Sequence, residues 1–156
     1  MARVSLNAGD RLVVKVGTAS LVDGEGRPDD SRLINLCDGI AGLASDGLHV
    51  ALVSSGAIAA GLEPLGLKSR PKDIPSLQAA AAVGQGLLLT RYADLLRARG
   101  LTTAQVLLTR YDFMQHSHYL NARNTLERLL ADGIVPIVNE NDTVAVDEIR
   151  FGDNDP

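Results

Sequence analysis

The stretch His49-Val50-Ala51-Leu52-Val53-Ser54-Ser55-Gly56-Ala57-Ile58-Ala59-Ala60-Gly61-Leu62 decides the fold class. Its first five residues form a short apolar run without polar alternation, the pattern of a strand buried on both faces. Ser54-Ser55-Gly56 interrupts the run, and residues 57–62 resume as a short helix. Strand, small-residue turn and helix together open a β–α unit.

The same order recurs on either side. Leu12-Val13-Val14-Lys15-Val16 reads as an earlier strand, followed by Gly17-Thr18 and a loop with Gly24, Gly26 and Pro28. Ser31 is a good N-cap for the next helix. Leu33, Leu36, Cys37, Ile40 and Ala44 repeat at helical spacing and predict its core face, and Gly47 ends it. Residues 66–75 read as a loop, and 76–99 as a long helix stopped by Gly100. Gly84 and Gly86 weaken the middle of that helix. Residues 101–108 predict a third strand, 109–118 a polar stretch and 121–131 a helix ended by Gly133. Residues 134–138 predict a fourth strand, and 143–149 a short hairpin arm. Strands alternating with helices predict right-handed crossovers. The fold class is therefore α/β: a three-layer α/β/α sandwich with a mostly parallel central sheet, covered on both faces.

Composition narrows the function classes. The 156 residues are 46% hydrophobic and 22% charged, which excludes a disordered tail, a collagen-like repeat and a coiled coil. Fifteen basic against 19 acidic residues give a net charge of −4, the wrong sign for a phosphate-gripping nucleic-acid binder. Aromatics are 3% and Trp is absent, which argues against a base-stacking surface. Cys37 is the one cysteine, so neither a disulfide framework nor a cysteine metal site forms within the chain. No apolar run nears the ~18 residues of a membrane span, and residues 1–4 show no secretory h-region. The expected setting is the cytoplasm, with no membrane partner.

In an open parallel sheet, ligands bind beyond the carboxyl ends of the strands. Those ends here are Gly17-Thr18, Ser54-Ser55-Gly56-Ala57, Thr109-Arg110 and Asn139-Glu140-Asn141-Asp142. Polar strand ends are ordinary where strands turn into loops. Four consecutive hydrogen-bonding side chains directly after a buried strand are less so, since each needs a partner. Lys15 lies inside an apolar run, on a strand predicted to be buried, where an ammonium is costly. Two readings stay open: Lys15 snorkels to water from an edge strand, or it points along the strand into an anionic ligand site. The Ser54-Ser55-Gly56 turn can present backbone N–H groups to an anion, although neither P-loop nor Rossmann fingerprint occurs. His116 and His118 stand near Asp112, but spacing of two puts them on different helix faces. A solvated loop is the simpler reading there, and also for Lys68, Arg70 and Lys72. No G-x-S-x-G supports a hydrolase triad, and Cys37 reads as an inert buried thiol.

Five segments carry a resemblance. They are Val13-Val14-Lys15-Val16-Gly17-Thr18, Val53-Ser54-Ser55-Gly56-Ala57-Ile58-Ala59-Ala60-Gly61, Leu107-Leu108-Thr109 with Tyr119-Leu120-Asn121-Ala122-Arg123-Asn124-Thr125-Leu126, Val138-Asn139-Glu140-Asn141-Asp142 and Gly152-Asp153-Asn154-Asp155. With them the chain resembles the amino-acid kinase family over essentially its whole length. Gly17-Thr18 stands where sibling kinases usually have a double glycine, which points to the glutamate branch.

The resemblance implies ATP-dependent phosphorylation of the side-chain carboxylate of L-glutamate to L-glutamyl 5-phosphate, the first step of proline biosynthesis. It implies Lys15 and Asp155 as catalytic residues, Lys15 on the transferring phosphate and Asp155 as the organising aspartate. It implies Gly17 and Thr18, with Lys15, beside the nucleotide phosphates. Ser55, Asp142 and Asn154 match substrate-binding positions, supported by Asn139 and by the Gly56-Ala57 turn. Mg²⁺ is expected to be held mainly through the ATP phosphates, with no metal site of the chain's own. Proline is expected as feedback inhibitor and a homo-oligomer as the assembly. Chains of the family continue past Gly-Asp-Asn-Asp, so residues 1–156 are expected to be the N-terminal amino-acid-binding part of the kinase domain. The nucleotide-binding half and any PUA domain are then absent, and two alternatives follow: a glutamate-binding module without kinase activity, or a sibling kinase of another small acid.

Overall fold

Short apolar runs bounded by turns become four strands in the computed structural model, which describes residues 5–145 apart from Glu25. They are β1 (Arg11–Lys15), β2 (His49–Val53), β3 (Thr103–Leu108) and β4 (Val135–Glu140). All pairings are parallel, in the order β1-β2-β4-β3. The helices are α1 (Asp30–Ser45), α2 (Ala57–Leu62), α3 (Ile74–Arg97), α4 (Arg110–Met114) and α5 (His116–Ala131).

The layers follow from the strand order. From β1 to β2 and from β2 to β3 the chain advances across the sheet, whereas from β3 to β4 it steps back. With one crossover hand, that reversal sends the last helix to the opposite face. Accordingly α1 and α3 share one face. Leu33, Cys37 and Ile40 of α1 and Leu88, Tyr92 and Leu96 of α3 pack there on Val50, Leu52, Val135 and Ile137. Helix α5 lies against β2 and β4 on the other face. The three-layer α/β/α expectation holds, with an all-parallel sheet among the described residues.

Coverage of the sheet differs from the expectation. β1 and β3 are the outer strands and alternate between covered and open positions. Leu12 and Val14 pack on the core, while Val13 on the α5 side is 65% exposed. The reason is reach: α5 covers β2 and β4 and leaves β1 open on that face.

Helix ends also shift by local chemistry. Asp29, one residue before α1, holds the extended cap conformation, and its carboxylate accepts the Ser31 and Arg32 N–H groups. Ser31, predicted as the cap, lies inside the first turn and donates its hydroxyl to Asp29 at 2.6 Å. Asp73 caps α3 through the Ser76 N–H, with Pro75 in the first turn, so α3 begins before residue 76. The polar stretch 109–118 holds α4 and the start of α5, because Thr109 and Asp112 form a reciprocal capping box. Of the predicted hairpin arm 143–149, residues 143–144 are turn and 146–149 lie outside the described residues. No described helix is long and apolar enough to cross a membrane.

Glycine in the middle of α3 does not weaken it, because α3 crosses α2 in backbone contact. A Cβ at Gly84 would stand 1.8 Å from the Ala57 carbonyl oxygen, and one at Gly61 would stand 1.9 Å from that of Ala80. The two glycines let the helices meet where any side chain would wedge them apart. Gly86 has nothing within 4 Å of such a Cβ and is not needed for the contact.

Candidate active site

The strands stay paired up to their carboxyl ends. Val16 N–H donates to Val53 O, and Ser54 N–H to Val138 O, each at 2.9 Å. Gly17-Thr18 and Ser54-Ser55 therefore leave the sheet beside the Asn139-Glu140 end of β4. Between them opens a cleft of about 70 Å³. Thr18 lines it after β1, Ser55, Gly56 and Ala57 after β2, and Asn139, Glu140 and Asp142 from β4 onward, with Arg70 closing one side.

The wall is cross-linked. Ser55 Oγ donates to Val16 O at 3.0 Å and accepts from Thr18 Oγ1 at 3.3 Å, which ties the β1 and β2 turns together. Gly56 turns the chain into α2 with φ of +95°, a left-handed conformation that disfavours any side chain. One layer down, α3 supports both neighbouring strand ends. Ser54 Oγ and Tyr92 OH are 3.0 Å apart, and Asn139 Nδ2 donates to Gln85 Oε1 at 2.7 Å. Burial pushes the Tyr92 phenol up to about 12, so it is protonated and able to donate at neutral pH.

The sequence-predicted site residues divide into four groups. Thr18, Ser55, Gly56, Ala57, Asn139 and Asp142 share the cleft wall. Gly17 stands beside Thr18 as the residue before a short 3₁₀ turn (Thr18–Ser20). Lys15 is the last residue of β1, paired in register with Val53. Its side chain is exposed, on the face that α5 leaves open, rather than buried among valines. The strand is an edge among the described residues, so no burial penalty attaches to this ammonium. Asn154 and Asp155 lie outside the described residues.

Asn139 and Glu140 belong to β4 itself rather than to a loop after it. Glu140 N–H donates to Asn139 Oδ1 at 2.9 Å. Three contributors escaped the sequence reading. Arg70, taken with its lysine neighbours as solvated, lines the cleft. Gln85 and Tyr92 lie on the sheet-facing side of α3, seven residues apart. A polar glutamine between Gly84 and Gly86 in an apolar helix was the available signal.

Elsewhere the stretch read as a solvated loop is helical, with Asp112 in α4 and His116 and His118 in α5. His118 Nδ1 lies 2.9 Å from Asp112 Oδ1. That bond, followed by those from Thr109, holds the Asp112 carboxyl down at about 2. Among the described residues no three His, Cys, Asp or Glu side chains are grouped to hold a metal ion. Cys37 is fully buried and its thiol is pushed up to about 11 by desolvation, an inert state.

Comparison with known proteins adds the lineage. The chain is 56% identical over 153 residues to the glutamate 5-kinase of Salinispora arenicola, covering 98% of this chain and 42% of that one. It is 55% identical over 145 residues to the glutamate 5-kinase of Desulfitobacterium hafniense, covering 93% and 39%. For that of Thermobifida fusca the identity is 53% over 153 residues, covering 98% and 39%. The chain thus spans about two fifths of the length of the curated relatives it matches. The model of the amino acid kinase family matches residues 10–156. Since that match takes in every strand and the whole cleft wall, the chain belongs to the amino acid kinase family.

Proposed function

We propose that this chain is the amino-acid-binding part of a glutamate 5-kinase, which transfers the γ-phosphoryl group of ATP to the side-chain carboxylate of L-glutamate. The observation that carries the reading is the cleft itself. It joins neutral hydrogen-bonding groups from three strand ends (Thr18, Ser55, Asn139) to a carboxylate (Asp142) and a guanidinium (Arg70) in one small volume. An α-amino dicarboxylic acid needs that mixture: a carboxylate for its ammonium, and donors or cations for its two acidic groups.

In the reaction a carboxylate oxygen of glutamate attacks the γ-phosphorus, the bond to the bridging oxygen breaks, and ADP leaves. A carboxylate is ionised at neutral pH, so no general base is required. Catalysis reduces to alignment and to cancelling charge on the transferring group. Asp142 pairs with the substrate ammonium, while Asn139 and the backbone N–H groups of the Gly56-Ala57 turn donate to its oxygens and Ser55 lines the same site. Lys15, at the carboxyl end of β1, supplies the cation for the transferring phosphoryl, with Gly17 and Thr18 beside the nucleotide phosphates. Mg²⁺, bound through the ATP phosphates rather than by a carboxylate cluster of the described residues, would neutralise part of their charge. Asn154 is assigned to the substrate and Asp155 to organising the catalytic lysine by family resemblance. The adenine and ribose contacts belong to the part of such kinases that this chain does not span. Proline acts in this reading as feedback inhibitor, and the protein self-associates in the cytoplasm.

The test is ADP release by the full-length protein with ATP, Mg²⁺ and a panel of L-glutamate, N-acetylglutamate and L-aspartate. Turnover confined to glutamate is expected, with inhibition on adding proline. Turnover with another acid and none with glutamate refutes the assignment. Calorimetry of the 156-residue chain is expected to show glutamate binding without ATP binding. Saturable ATP binding by this chain refutes the division of labour.

A further inference from the structure

The carboxamide of Asn139 has a defined sense. Its oxygen accepts the Glu140 backbone N–H at 2.9 Å. A backbone N–H can only donate, so Oδ1 must be the atom on that side and Nδ2 the atom on the other. Nδ2 then finds Gln85 Oε1 at 2.7 Å. One of its two hydrogens is committed to α3, and the second has no acceptor among the described residues. Asn139 also lines the cleft, so that second N–H is available to a ligand there.

Gln85 is held firmly enough to set this orientation. The residue before it, Gly84, is pressed onto the Ala57 carbonyl of α2. Tyr92, two turns further along the same helix face, is bonded to Ser54. The backbone carrying Gln85 therefore cannot slide relative to the Ser55-Gly56-Ala57 turn that forms the opposite wall.

We propose that Gln85 is a positioning residue for the amino-acid site. By accepting from Asn139 it keeps an amide N–H, and not the amide oxygen, turned to the cleft, so that the site takes a carboxylate oxygen at that point. The inference rests on the glutamate reading above. Without the acceptor on α3 only the Glu140 N–H holds the amide, so its orientation is less firmly fixed and Oδ1, which repels a carboxylate, can turn to the cleft.

The experiment is steady-state kinetics of the full-length protein as wild type, Gln85→Met and Gln85→Glu. Methionine keeps the unbranched shape and removes the acceptor, whereas glutamate keeps an acceptor oxygen. Gln85→Met is expected to raise KM for glutamate about tenfold, the scale of one lost hydrogen bond. KM for ATP and the unfolding midpoint should stay near wild type. Gln85→Glu is expected to lie closer to wild type than Gln85→Met. If Gln85→Met fails to fold, Gln85→Ala takes its place in the same comparison. Unchanged KM for glutamate without the acceptor overturns the proposal, as does equal impairment of the Met and Glu variants with a lowered midpoint. A wild-type protein that does not phosphorylate glutamate overturns the parent reading and this inference with it, and the wild-type control tells the two failures apart.

Discussion

Substituting alanine at Gly84 and, separately, at Gly86 tests the packing on which the cleft depends. Both residues lie in the middle of α3, so helix propensity alone favours each change by about 1 kcal/mol. Gly86 realises that gain, since nothing stands within 4 Å of an added Cβ. At Gly84 the Cβ would meet the Ala57 carbonyl oxygen at 1.8 Å and the Gly61 nitrogen at 2.5 Å. Both are backbone atoms, so no flexible side chain can yield. Reaching ordinary contact at roughly 3.5 Å means parting α2 and α3 by more than about 1.5 Å. Overpacking of this kind costs about 3 kcal/mol or more, which exceeds the propensity gain and leaves a net loss of about 2 kcal/mol. Urea unfolding followed by far-ultraviolet circular dichroism reads the difference as a shift in midpoint. Gly86→Ala should move it up and Gly84→Ala down. Because α2 begins at the cleft, Gly84→Ala should also weaken glutamate binding, while Gly86→Ala leaves it unchanged. Equal upward shifts for both variants would refute the claim that these helices touch through their backbones.

Three further outcomes are expected. Tyr92→Phe removes the hydroxyl 3.0 Å from Ser54 Oγ and should cost about 1–2 kcal/mol in urea unfolding; a neutral result would mean that Ser54 is satisfied without α3. Lys15→Met in the full-length protein should lower kcat by roughly 10²–10³ with the melting temperature unchanged, the scale for losing one charge contact to a transition state; wild-type turnover would remove Lys15 from the mechanism. Asp112 titrates at about 2 when folded, below its ordinary value of 3.8. Its stabilisation is therefore complete above about pH 4 and lost as pH falls toward 2, and Asp112→Asn should flatten that part of the stability profile; an unaltered profile would show that its bonds to His118 and Thr109 contribute nothing.

Much of this molecule was legible along the chain because its information is local. β2 and α2 fall where periodicity and the Ser54-Ser55-Gly56 break put them, since a run of apolar residues and a glycine at positive φ need no distant partner to be recognised. Lys15 shows the limit. Its valine neighbours read as a buried strand, yet β1 lies at the edge of the described sheet, and α5 meets it through the Arg11–Glu127 ion pair without covering Val13 or Lys15. Whether an apolar strand is covered depends on how far a helix more than a hundred residues away extends.

The cleft shows the same division from the other side. Chemistry-bearing residues stood at strand ends in the sequence, and the rule for parallel sheets located them before any coordinates. That Asn139 would be oriented by Gln85 and Ser54 by Tyr92 could not be read, because those pairs are separated by 54 and 38 positions. Residue type and spacing determined which elements form and where polar groups emerge. The register of β1, β2 and β4, and the backbone contact of α2 with α3, decided which of those groups meet, because hydrogen bonds and van der Waals contacts act over a few ångströms of space regardless of distance along the chain.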